Sequence, residues 1–148
     1  IINMQNKIDI VKIRENASIP VRQSDFATGY DLCACLESQS ILVDETPQLI
    51  PTGISLSIPE GLDVQIRPRS GLTLKGLIAG FGTIDADYRG EIFVTLFCLS
   101  TLGSYEIKHG ERIAQLVVSK NQPFTWNEVT KLDNTKRGND GHGSTGKR

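Results

Sequence analysis

The chain has 148 residues and a formal net charge of -1, from 16 basic and 17 acidic side chains. This length allows one domain with a substantial hydrophobic core. The balanced charge, with no long basic run ahead of the C-terminal residues, argues against a nucleic-acid partner. The sequence contains no run of about eighteen apolar residues, the length that a membrane-spanning helix needs. Residues 1–7 lack the apolar centre of a signal peptide. We expect Met4 to be the native start, with residues 1–3 as an addition before it.

The chain contains three cysteines, Cys33, Cys35 and Cys98. An odd number without a secretory signal favours the cytoplasm or another reducing intracellular compartment. Cys33 and Cys35 are two positions apart and are expected on one face of a strand. A metal site needs more ligands nearby, and the chain has only two histidines, so small core residues are the preferred interpretation.

In chain order, apolar residues recur with the period of two that is typical of β-strands. Turn signals at residues 59–61, 102–104 and 108–110 separate the apolar segments, and residues 70–75 are expected to form one short helical turn. The apolar run at residues 92–99 predicts a strand buried on both faces. The predicted strands are residues 8–13, 54–58, 62–67, 92–99 and 112–119. Many short strands without a helical period predict one all-β domain, a sandwich or barrel of the jelly-roll type.

Two polar, glycine-containing segments between the strands carry candidate chemistry of their own. In residues 67–72, the planar guanidinium of Arg69 suits phosphate, Ser70 adds a hydroxyl, and Gly71 permits close approach of the backbone. In residues 82–91, which are placed as a hairpin would be, Asp85 is a candidate general base and Tyr88 a candidate aromatic platform. Considered alone, each segment also fits an ordinary surface turn.

Two further polar segments, residues 27–32 and 110–116, each place one polar side chain at a strand. Asp31 stands where an apolar strand begins, and alone it fits a turn or edge carboxylate. Gln115 stands inside an apolar strand, where a buried amide needs hydrogen-bond partners. A ligand oxygen and a neighbouring strand are both candidate partners.

Residues 137–148 contain no aliphatic side chain and are rich in glycine, small hydroxyl and basic residues. Accessible backbone N–H groups and positive charge are the components of a phosphate-binding segment, which is expected to order only on an anion or a partner. The spacing of residues 141–147 matches part of the P-loop pattern, but Arg148 stands where that pattern needs Ser or Thr. We expect a β domain at residues 1–136 and a flexible phosphate-binding lid at residues 137–148.

Taken in this order, the four segments and the tail resemble the five motifs of the trimeric dUTPase family, over residues 27–146. The resemblance implies a jelly-roll or distorted β-barrel fold and a homotrimer in which each active site draws on all three subunits. It also implies hydrolysis of dUTP to dUMP and pyrophosphate, with Mg²⁺ on the triphosphate and in-line attack of water on the α-phosphorus. This reaction limits uracil incorporation into DNA and supplies dUMP for thymidylate synthesis.

The resemblance further implies a role for each matched residue. Asp85 holds and deprotonates the attacking water and contacts the sugar 3′-hydroxyl, and Tyr88 packs on the deoxyribose. Gln115 approaches the α-phosphate, and Asp31 supports the magnesium ion through water. The other expected substrate contacts are Arg69, Ser70 and Gly71 to the phosphates; Gly80, Gly82, Thr83 and Ile84 of a hairpin, with Phe93 on the returning strand, to uracil; and Arg137, His142, Gly143, Ser144 and Thr145 of the tail.

Two positions depart from the family pattern. His142 stands where members usually carry a Phe that stacks on uracil; imidazole is smaller and can titrate near neutral pH, so closure is expected to weaken as pH falls. Ala79 stands where many bacterial relatives have an Asn. Because alanine has no side-chain amide, recognition of uracil is expected to rest on the main chain and on water.

Two other functions compete with this interpretation. A dCTP deaminase shares the fold, but Tyr88 and the glycine-rich tail argue against it. A binding or signalling module that has kept the fold without catalysis is the second, and the presence of Asp85, Arg69 and Gln115 argues against it.

Overall fold

The structure, a computed structural model, describes residues 7–143, 145 and 146. Within them the chain forms eleven strands and one short helix, α1 at Ser70–Lys75, where the sequence predicts a helical turn. The all-β prediction is therefore confirmed. The strands are β1 Asp9–Lys12, β2 Tyr30–Cys33, β3 Ser40–Val43, β4 Gln48–Pro51, β5 Ile54–Ser57, β6 Leu62–Arg67, β7 Leu77–Ala79, β8 Gly82–Ile84, β9 Phe93–Cys98, β10 Tyr105–Lys108 and β11 Arg112–Lys120.

The strands pair antiparallel in four groups. One sheet has the order β2-β11-β6-β8 and a second has the order β4-β9-β7, while β1 pairs with β5 and β10 pairs with β3. The last strand, β11, lies between β2 and β6, so pairing joins segments that are distant in the chain. Such non-consecutive antiparallel pairing is typical of Greek-key and jelly-roll sandwiches.

The inward-facing residues of the strands form the core. In β5 and β6 the buried residues are Ile54, Leu56, Val64 and Ile66, and the residues between them are only partly buried. Successive side chains of a strand point to opposite faces, so this alternation follows directly from the sequence pattern. The core therefore lies under one face of the four-stranded sheet, and the polar residues of β6 lie on the other face.

The strand β9 differs from its prediction. Val94, Leu96 and Cys98 are buried, but Phe93 is 37% exposed and Phe97 is partly buried. The expectation of burial on both faces is wrong, because only one face of β9 packs on the core of the chain. The strand β11 is likewise most buried in its first half and exposed at its C-terminal end.

The segment around Gly80 is not a hairpin. The strand β7 pairs with β9 in one sheet and β8 pairs with β6 in the other, so the chain crosses between sheets at Gly80 and Phe81. The residues between β8 and β9 also join two sheets. The hairpins expected at residues 80–84 and 82–91 are therefore wrong, because strand partners are chosen by long-range packing that local polarity does not encode.

The helix α1 follows β6 after Pro68 and Arg69 and is anchored by Leu72, which is buried. It ends at Gly76, which has φ +96° and whose N–H donates to the carbonyls of the last turn. Glycine suits this left-handed position because it has no Cβ. The helix therefore holds the chain firmly just after Arg67 and Arg69.

Cys35 and Cys98 are buried, Cys33 is partly buried, and all three thiols are free. The interpretation as small core residues is confirmed for Cys35 and Cys98. Across residues 7–143, 145 and 146, no three His, Cys, Asp or Glu side chains gather as a metal site would require. In the same part of the chain, no helix has the length and apolar composition needed to cross a membrane.

Candidate active site

Three polar residues lie side by side across the four-stranded sheet. Asp31 of β2 is opposite Gln115 of β11, and Gln115 is opposite Arg67 of β6. Directly opposite residues of antiparallel strands share one face. Nε2 of Gln115 donates a hydrogen bond to the carbonyl of Pro68 at 2.9 Å. Strand pairing thus brings together three of the polar segments that the sequence keeps apart.

Asp31 lies between two guanidinium groups. Its side chain is 11% exposed, with Oδ1 3.7 Å from Nε of Arg69 and Oδ2 3.4 Å from Nη1 of Arg112. Nη1 of Arg69 also donates to the carbonyl of Arg112 at 3.0 Å. Asp31 lies in β2, an edge strand of its sheet, so the interpretation as an edge carboxylate holds and that as a turn carboxylate is wrong. We call Asp31, Arg69, Arg112 and Gln115 the polar cluster; its arginines have the fork geometry that suits phosphate.

Gly29, directly before β2, is required by the position of Gln115. A Cβ atom at residue 29 would overlap Oε1 of Gln115 and would lie 2.7 Å from its Cδ. The amide group therefore packs on bare backbone. Its orientation is held from two sides, by Gly29 and by the carbonyl of Pro68.

The start of α1 adjoins the polar cluster. The carbonyl of Arg69 accepts the N–H groups of Leu72 and Thr73. The first N–H groups of a helix, here those of Ser70 and Gly71, have no intrahelical acceptor. A Cβ atom at Gly71 would meet nothing within 4 Å, so the backbone at this point is open to a ligand.

A cleft of about 250 Å³ opens beside β8 and β9. Complete ligand pockets typically span about 300–1,000 Å³, so this cleft suits part of a larger ligand. Three lining residues, Ile66, Glu91 and Ile92, are not among those that the sequence predicts. The six predicted residues that line it are Gly82, Thr83, Ile84, Asp85, Tyr88 and Phe93.

The strand β8 gives the cleft a backbone wall. It is the edge strand of its sheet and pairs on one side only, with β6. An edge strand presents N–H and C=O groups that are unpaired within the sheet. Gly82 packs tightly on the neighbouring strand, since a Cβ atom there would lie 3.1 Å from Cδ1 of Ile66. Residues 82–84 can therefore contact a planar polar ligand through the main chain.

Gly80 takes no part in this wall. Its N–H donates to the carbonyl of Thr95 at 2.8 Å and so is not free for a ligand. It is absent from the lining of the cleft within the described residues. The following residue, Phe81, is 77% exposed at the crossing between the sheets.

Tyr88 is fixed at the rim of the cleft. Its hydroxyl donates to the carbonyl of Glu91 at 2.8 Å, and its N–H donates to the carbonyl of Asp85 at 3.0 Å. Gly90 lies against the ring, since a Cβ atom there would lie 2.6 Å from Cζ of Tyr88. The residue is nevertheless 44% exposed. The ring is held at its hydroxyl end and remains open to a ligand.

Asp85 follows β8 immediately and is exposed in the cleft wall. Within the described residues, no donor or cation bonds to its carboxylate. Asp87 of the same loop is also exposed but does not line the cleft. Asp85 is therefore the carboxylate that can accept a hydrogen bond from a molecule bound there.

The cleft and the polar cluster are separate places on this chain. None of the four residues of the polar cluster is among the described residues that line the cleft. The cleft opens at the β8 edge of the four-stranded sheet, and β6 lies between β8 and β11, the strand that carries Arg112 and Gln115.

The described residues of the C-terminal segment are absent from the lining of the cleft and make no hydrogen bond or ion pair with the polar cluster. Residues 121–143 are exposed along their whole length. Among the described residues, the hydrogen bonds of segment 135–146 stay inside it, as from Nε of Arg137 to the carbonyl of Asp140 at 2.7 Å. His142 has φ +47°, unusual for a residue with a Cβ. Arg137, His142, Gly143 and Thr145 are thus not brought to the cleft, and Ser144 lies outside the described residues.

The sequence prediction omits Arg112 and Glu91. Arg112 and Asp31 are 81 positions apart, and their contact depends on the pairing of β11 with β2. The side chain of Glu91 is 14% exposed and accepts the N–H of Gly53 at 2.9 Å. No local signal marks either residue, because charged residues near strand ends are ordinarily solvated.

Cys33 lies beside the polar cluster in β2. Burial raises the pKa of its thiol above the ordinary value of 9.0, and the charge of Asp31 acts in the same direction, while Arg112 and Arg69 oppose both. A thiol that stays protonated at neutral pH is a poor nucleophile. Cys33 is therefore not a candidate for covalent catalysis.

Comparisons with known proteins identify the family of the chain. A family model for dUTPase matches residues 15–146. The chain is 44% identical over 144 residues to the deoxyuridine 5'-triphosphate nucleotidohydrolase of Leptospira interrogans, covering 95% of this chain and 99% of that protein. It is 49% identical over 144 residues to the protein of the same name from Wolinella succinogenes, covering 95% of each.

Solved structures show the same fold. A mutant dUTPase of Staphylococcus bacteriophage 80alpha with dUpNHpp has a TM-score of 0.82 at 26% identity, over 96% of this chain and 99% of that chain. A mutant dUTPase from phage phi11 of S. aureus has a TM-score of 0.75 at 23% identity, over 86% of this chain and 99% of that chain. The family model and the curated relatives each match most of the chain, and the chain therefore belongs to the dUTPase family.

Proposed function

We propose that this protein hydrolyses dUTP to dUMP and pyrophosphate. The family match and the identity to curated dUTP nucleotidohydrolases support the reaction. The observation that carries its assignment to residues is the cleft in which Asp85, Tyr88 and the free edge of β8 meet. The reaction limits uracil incorporation into DNA and supplies dUMP for thymidylate synthesis.

The cleft binds the nucleoside part of the substrate. Uracil pairs with main-chain groups of residues 82–84, and a base with the wrong donors and acceptors leaves buried polar groups unpaired, which can cost roughly 10⁴–10⁵ in kcat/KM. Tyr88 packs on the deoxyribose and leaves no room for a 2′-hydroxyl. Phe93 closes the wall from β9.

Asp85 holds the attacking water. The water oxygen attacks the α-phosphorus in line, its proton passes to the Asp85 carboxylate, and the bond from the α-phosphorus to the bridging oxygen breaks as pyrophosphate leaves. A positioned general base typically contributes about 10²–10⁴-fold. The lack of any protein partner for this carboxylate among the described residues supports the role, because both oxygens are free to accept from water.

The polar cluster and the start of α1 bind the triphosphate. Arg69 supplies a guanidinium, and Ser70 and Gly71 supply N–H groups without intrahelical acceptors. Gln115 approaches the α-phosphate and the water. The bonds that hold it to Pro68 and against Gly29 support this role, because they fix its amide in advance.

The active site is shared within a homotrimer. Two observations support this arrangement: no residue of the polar cluster is among the described residues that line the cleft, and the exposed segment at residues 121–143 carries two exposed aromatic side chains. Phe124 and Trp126 are 69% and 89% exposed and pack mainly on each other, with ring centroids 4.9 Å apart. Exposed apolar groups of this kind are typical of surfaces that meet another chain.

Members of the family generally use a divalent metal ion, and we propose Mg²⁺ bound mainly by the triphosphate. The donors of this chain fit that arrangement better than a cage of protein ligands, because both oxygens of Asp31 face guanidinium groups. Mg²⁺ prefers phosphate, carboxylate and water oxygens and retains several waters. Asp31 would hold it through such a water, and the ion would neutralise charge on the phosphates.

Residues 137–148 form a lid on this site, separate from the β domain at residues 1–136. Arg137, Ser144 and Thr145 close on the γ-phosphate, His142 covers uracil, and Gly143 permits the turn between them. The self-contained hydrogen bonds of the described tail support a segment that awaits its ligand. The three free thiols support the cytoplasm or another reducing compartment as its location.

The first experiment measures pyrophosphate release from dUTP with Mg²⁺ for the wild type, Asp85→Asn and Asp87→Asn. We expect Asp85→Asn to lose about 10²–10⁴ in kcat, while the matched control, which changes an exposed carboxylate of the same loop outside the cleft, stays close to the wild type. A wild type without activity would refute the proposed reaction, and an Asp85→Asn variant with undiminished activity would refute the role of Asp85. Ammonia release from dCTP would instead indicate a deaminase.

The second experiment mixes two inactive variants, Asp85→Asn and Arg69→Ala, after joint refolding. If Asp85 and Arg69 of one site come from different chains, equal mixing restores about a quarter of the wild-type activity, since each chain carries one intact residue. If both came from one chain, mixing would restore nothing. A sedimentation mass equal to one chain would contradict the trimer.

A further inference from the structure

Glu91 lines the cleft, but the proposed reaction does not use its carboxylate. Oε1 accepts the N–H of Gly53 at 2.9 Å, and Oε2 lies 3.5 Å from Nη2 of Arg14. Both oxygens are thus engaged inside the chain. A carboxylate held in this way acts on a bound ligand only through the groups that it positions.

The group that it positions is its own peptide bond. The carbonyl of Glu91 accepts the Tyr88 hydroxyl at 2.8 Å. The N–H of the same peptide group belongs to Ile92 and donates to the carbonyl of Ile54 at 2.9 Å. Because a peptide group is planar and trans, its carbonyl points opposite to its N–H. The Tyr88 hydroxyl is therefore oriented by a peptide group whose other side is bonded to Ile54.

Residues 52 and 53 also bond to groups on either side of this peptide group. Thr52 donates its N–H and its hydroxyl to the carbonyl of Ile92, and Gly53 donates its N–H to the Glu91 side chain. Gly53 has φ +70°, and a Cβ atom there would lie 2.8 Å from Sγ of Cys35. A larger residue at position 53 would therefore displace the hydrogen bond from its N–H to the Glu91 side chain.

Arg14 closes the arrangement from the N-terminal side. Its Nη1 donates to the carbonyl of Cys35 at 3.0 Å, while its Nη2 faces Glu91. Arg14 lies just before the residues that the family model matches, which begin at residue 15. We call Arg14, residues 52–54 and Glu91 the clamp.

We propose that Glu91 is a positioning residue for sugar discrimination, acting through Tyr88. The inference rests on the proposed function, in which the Tyr88 ring excludes a ribose 2′-hydroxyl. When the clamp is loosened, the Glu91 carbonyl no longer fixes the Tyr88 hydroxyl, and the ring can tilt away from the sugar. Loss of the clamp therefore raises hydrolysis of UTP relative to dUTP.

The test compares kcat/KM for dUTP and UTP in the wild type, Glu91→Ala, Arg14→Ala, Tyr88→Phe and the double variant Glu91→Ala/Tyr88→Phe. We expect the dUTP-to-UTP ratio to fall about tenfold in Glu91→Ala, the factor that corresponds to one hydrogen bond, and by less in Arg14→Ala. The double variant should match Tyr88→Phe, since Glu91→Ala is expected to act only by misplacing the carbonyl that accepts the Tyr88 hydroxyl, and Tyr88→Phe removes that hydroxyl. Glu106→Ala is the control, because Glu106 accepts the Ser40 hydroxyl in another sheet.

An unchanged ratio in folded Glu91→Ala, or a fall that adds to that of Tyr88→Phe, would overturn the inference. If Glu91→Ala does not fold, Glu91→Gln replaces it: this variant keeps an acceptor for Gly53 but loses the charge that faces Arg14, and the same two results count against it. A wild type that does not hydrolyse dUTP refutes the proposed function itself. A wild type that hydrolyses dUTP, together with clamp variants whose dUTP-to-UTP ratio is unchanged, refutes this inference alone.

Discussion

The polar cluster and the C-terminal segment are both proposed to bind phosphate, yet the chain supports them very differently. Asp31 and Gln115 lie in paired strands, and each is held by contacts with residues far away in the sequence. Residues 121–143 are exposed throughout, and the described hydrogen bonds of the tail stay within a few residues. One phosphate-binding region is thus built by the fold, and the other awaits a ligand or a second chain.

This difference has a functional meaning. A site whose groups are oriented before the substrate arrives does not reorganise during the reaction, which favours stabilisation of the transition state. A segment that orders only on binding loses conformational entropy at that moment, but it can enclose the substrate and release the product. We therefore expect changes in the two regions to affect stability and activity in different proportions.

Deleting residues 137–148 should give the largest difference between the effect on activity and the effect on stability. Two or three lost charge-assisted contacts to phosphate should lower kcat/KM by about 10²–10⁴-fold. The melting temperature should stay unchanged, because the described tail makes no hydrogen bond to the domain. Steady-state kinetics and calorimetry measure the two quantities. A marked loss of melting temperature, or full activity, would contradict the contrast between the regions.

The substitution Gly29→Ala should affect both quantities. The added Cβ overlaps Oε1 of Gln115, so the amide must turn away and kcat should fall about tenfold or more, with about 1–3 kcal/mol of lost stability from overpacking. Shortening the clashing side chain in Gly29→Ala/Gln115→Asn should restore stability but not kcat. An unchanged kcat in Gly29→Ala would mean that the orientation of Gln115 does not matter.

A smaller effect is expected from His142→Phe in the tail. The larger ring should stack better on uracil, and aromatic contacts of this kind are worth about 0.5–1.5 kcal/mol, so KM for dUTP should fall several-fold while kcat and the melting temperature stay close to those of the wild type. Binding of a non-hydrolysable dUTP analogue, measured by calorimetry, provides the second readout. A KM equal to that of the wild type would remove His142 from the base-covering role.

The smallest effect concerns a contact of the domain outside both regions. The Tyr105 hydroxyl donates to Oε1 of Glu111 at 2.8 Å, and this hydrogen bond, aided by burial, raises the pKa of Tyr105 above its ordinary value of 10.0. A folded-state pKa above the unfolded value gives stability that is present below about pH 10 and is lost as pH rises through the folded value. In urea unfolding, Tyr105→Phe should reduce the fall of the free energy of unfolding at alkaline pH. Tyr30→Phe is the control. An identical decline in both variants would contradict the assignment.

The strand pattern shows how far local sequence can predict this fold. The alternation in β5 and β6 and the helical turn at residues 70–75 are confirmed, because period and glycine placement act over a few residues. The hairpin at Gly80 and the double burial of β9 are wrong. Both errors concern which strand lies beside which and what covers a face, and these depend on contacts between distant segments.

The order of the polar segments by itself determined the family, the all-β class and the residue types on which the chemistry depends. Those features are local, since a motif keeps its composition wherever the chain places it. Only the tertiary structure decided that Asp85 lines a cleft from which Gln115 is absent among the described residues, that Glu91 lies in this cleft, that Arg112 pairs with Asp31, and that the N–H of Gly80 already donates to a carbonyl. The physical reason is that strand register and sheet face are set by long-range pairing, and a shift of one residue would send each of these side chains to the other face.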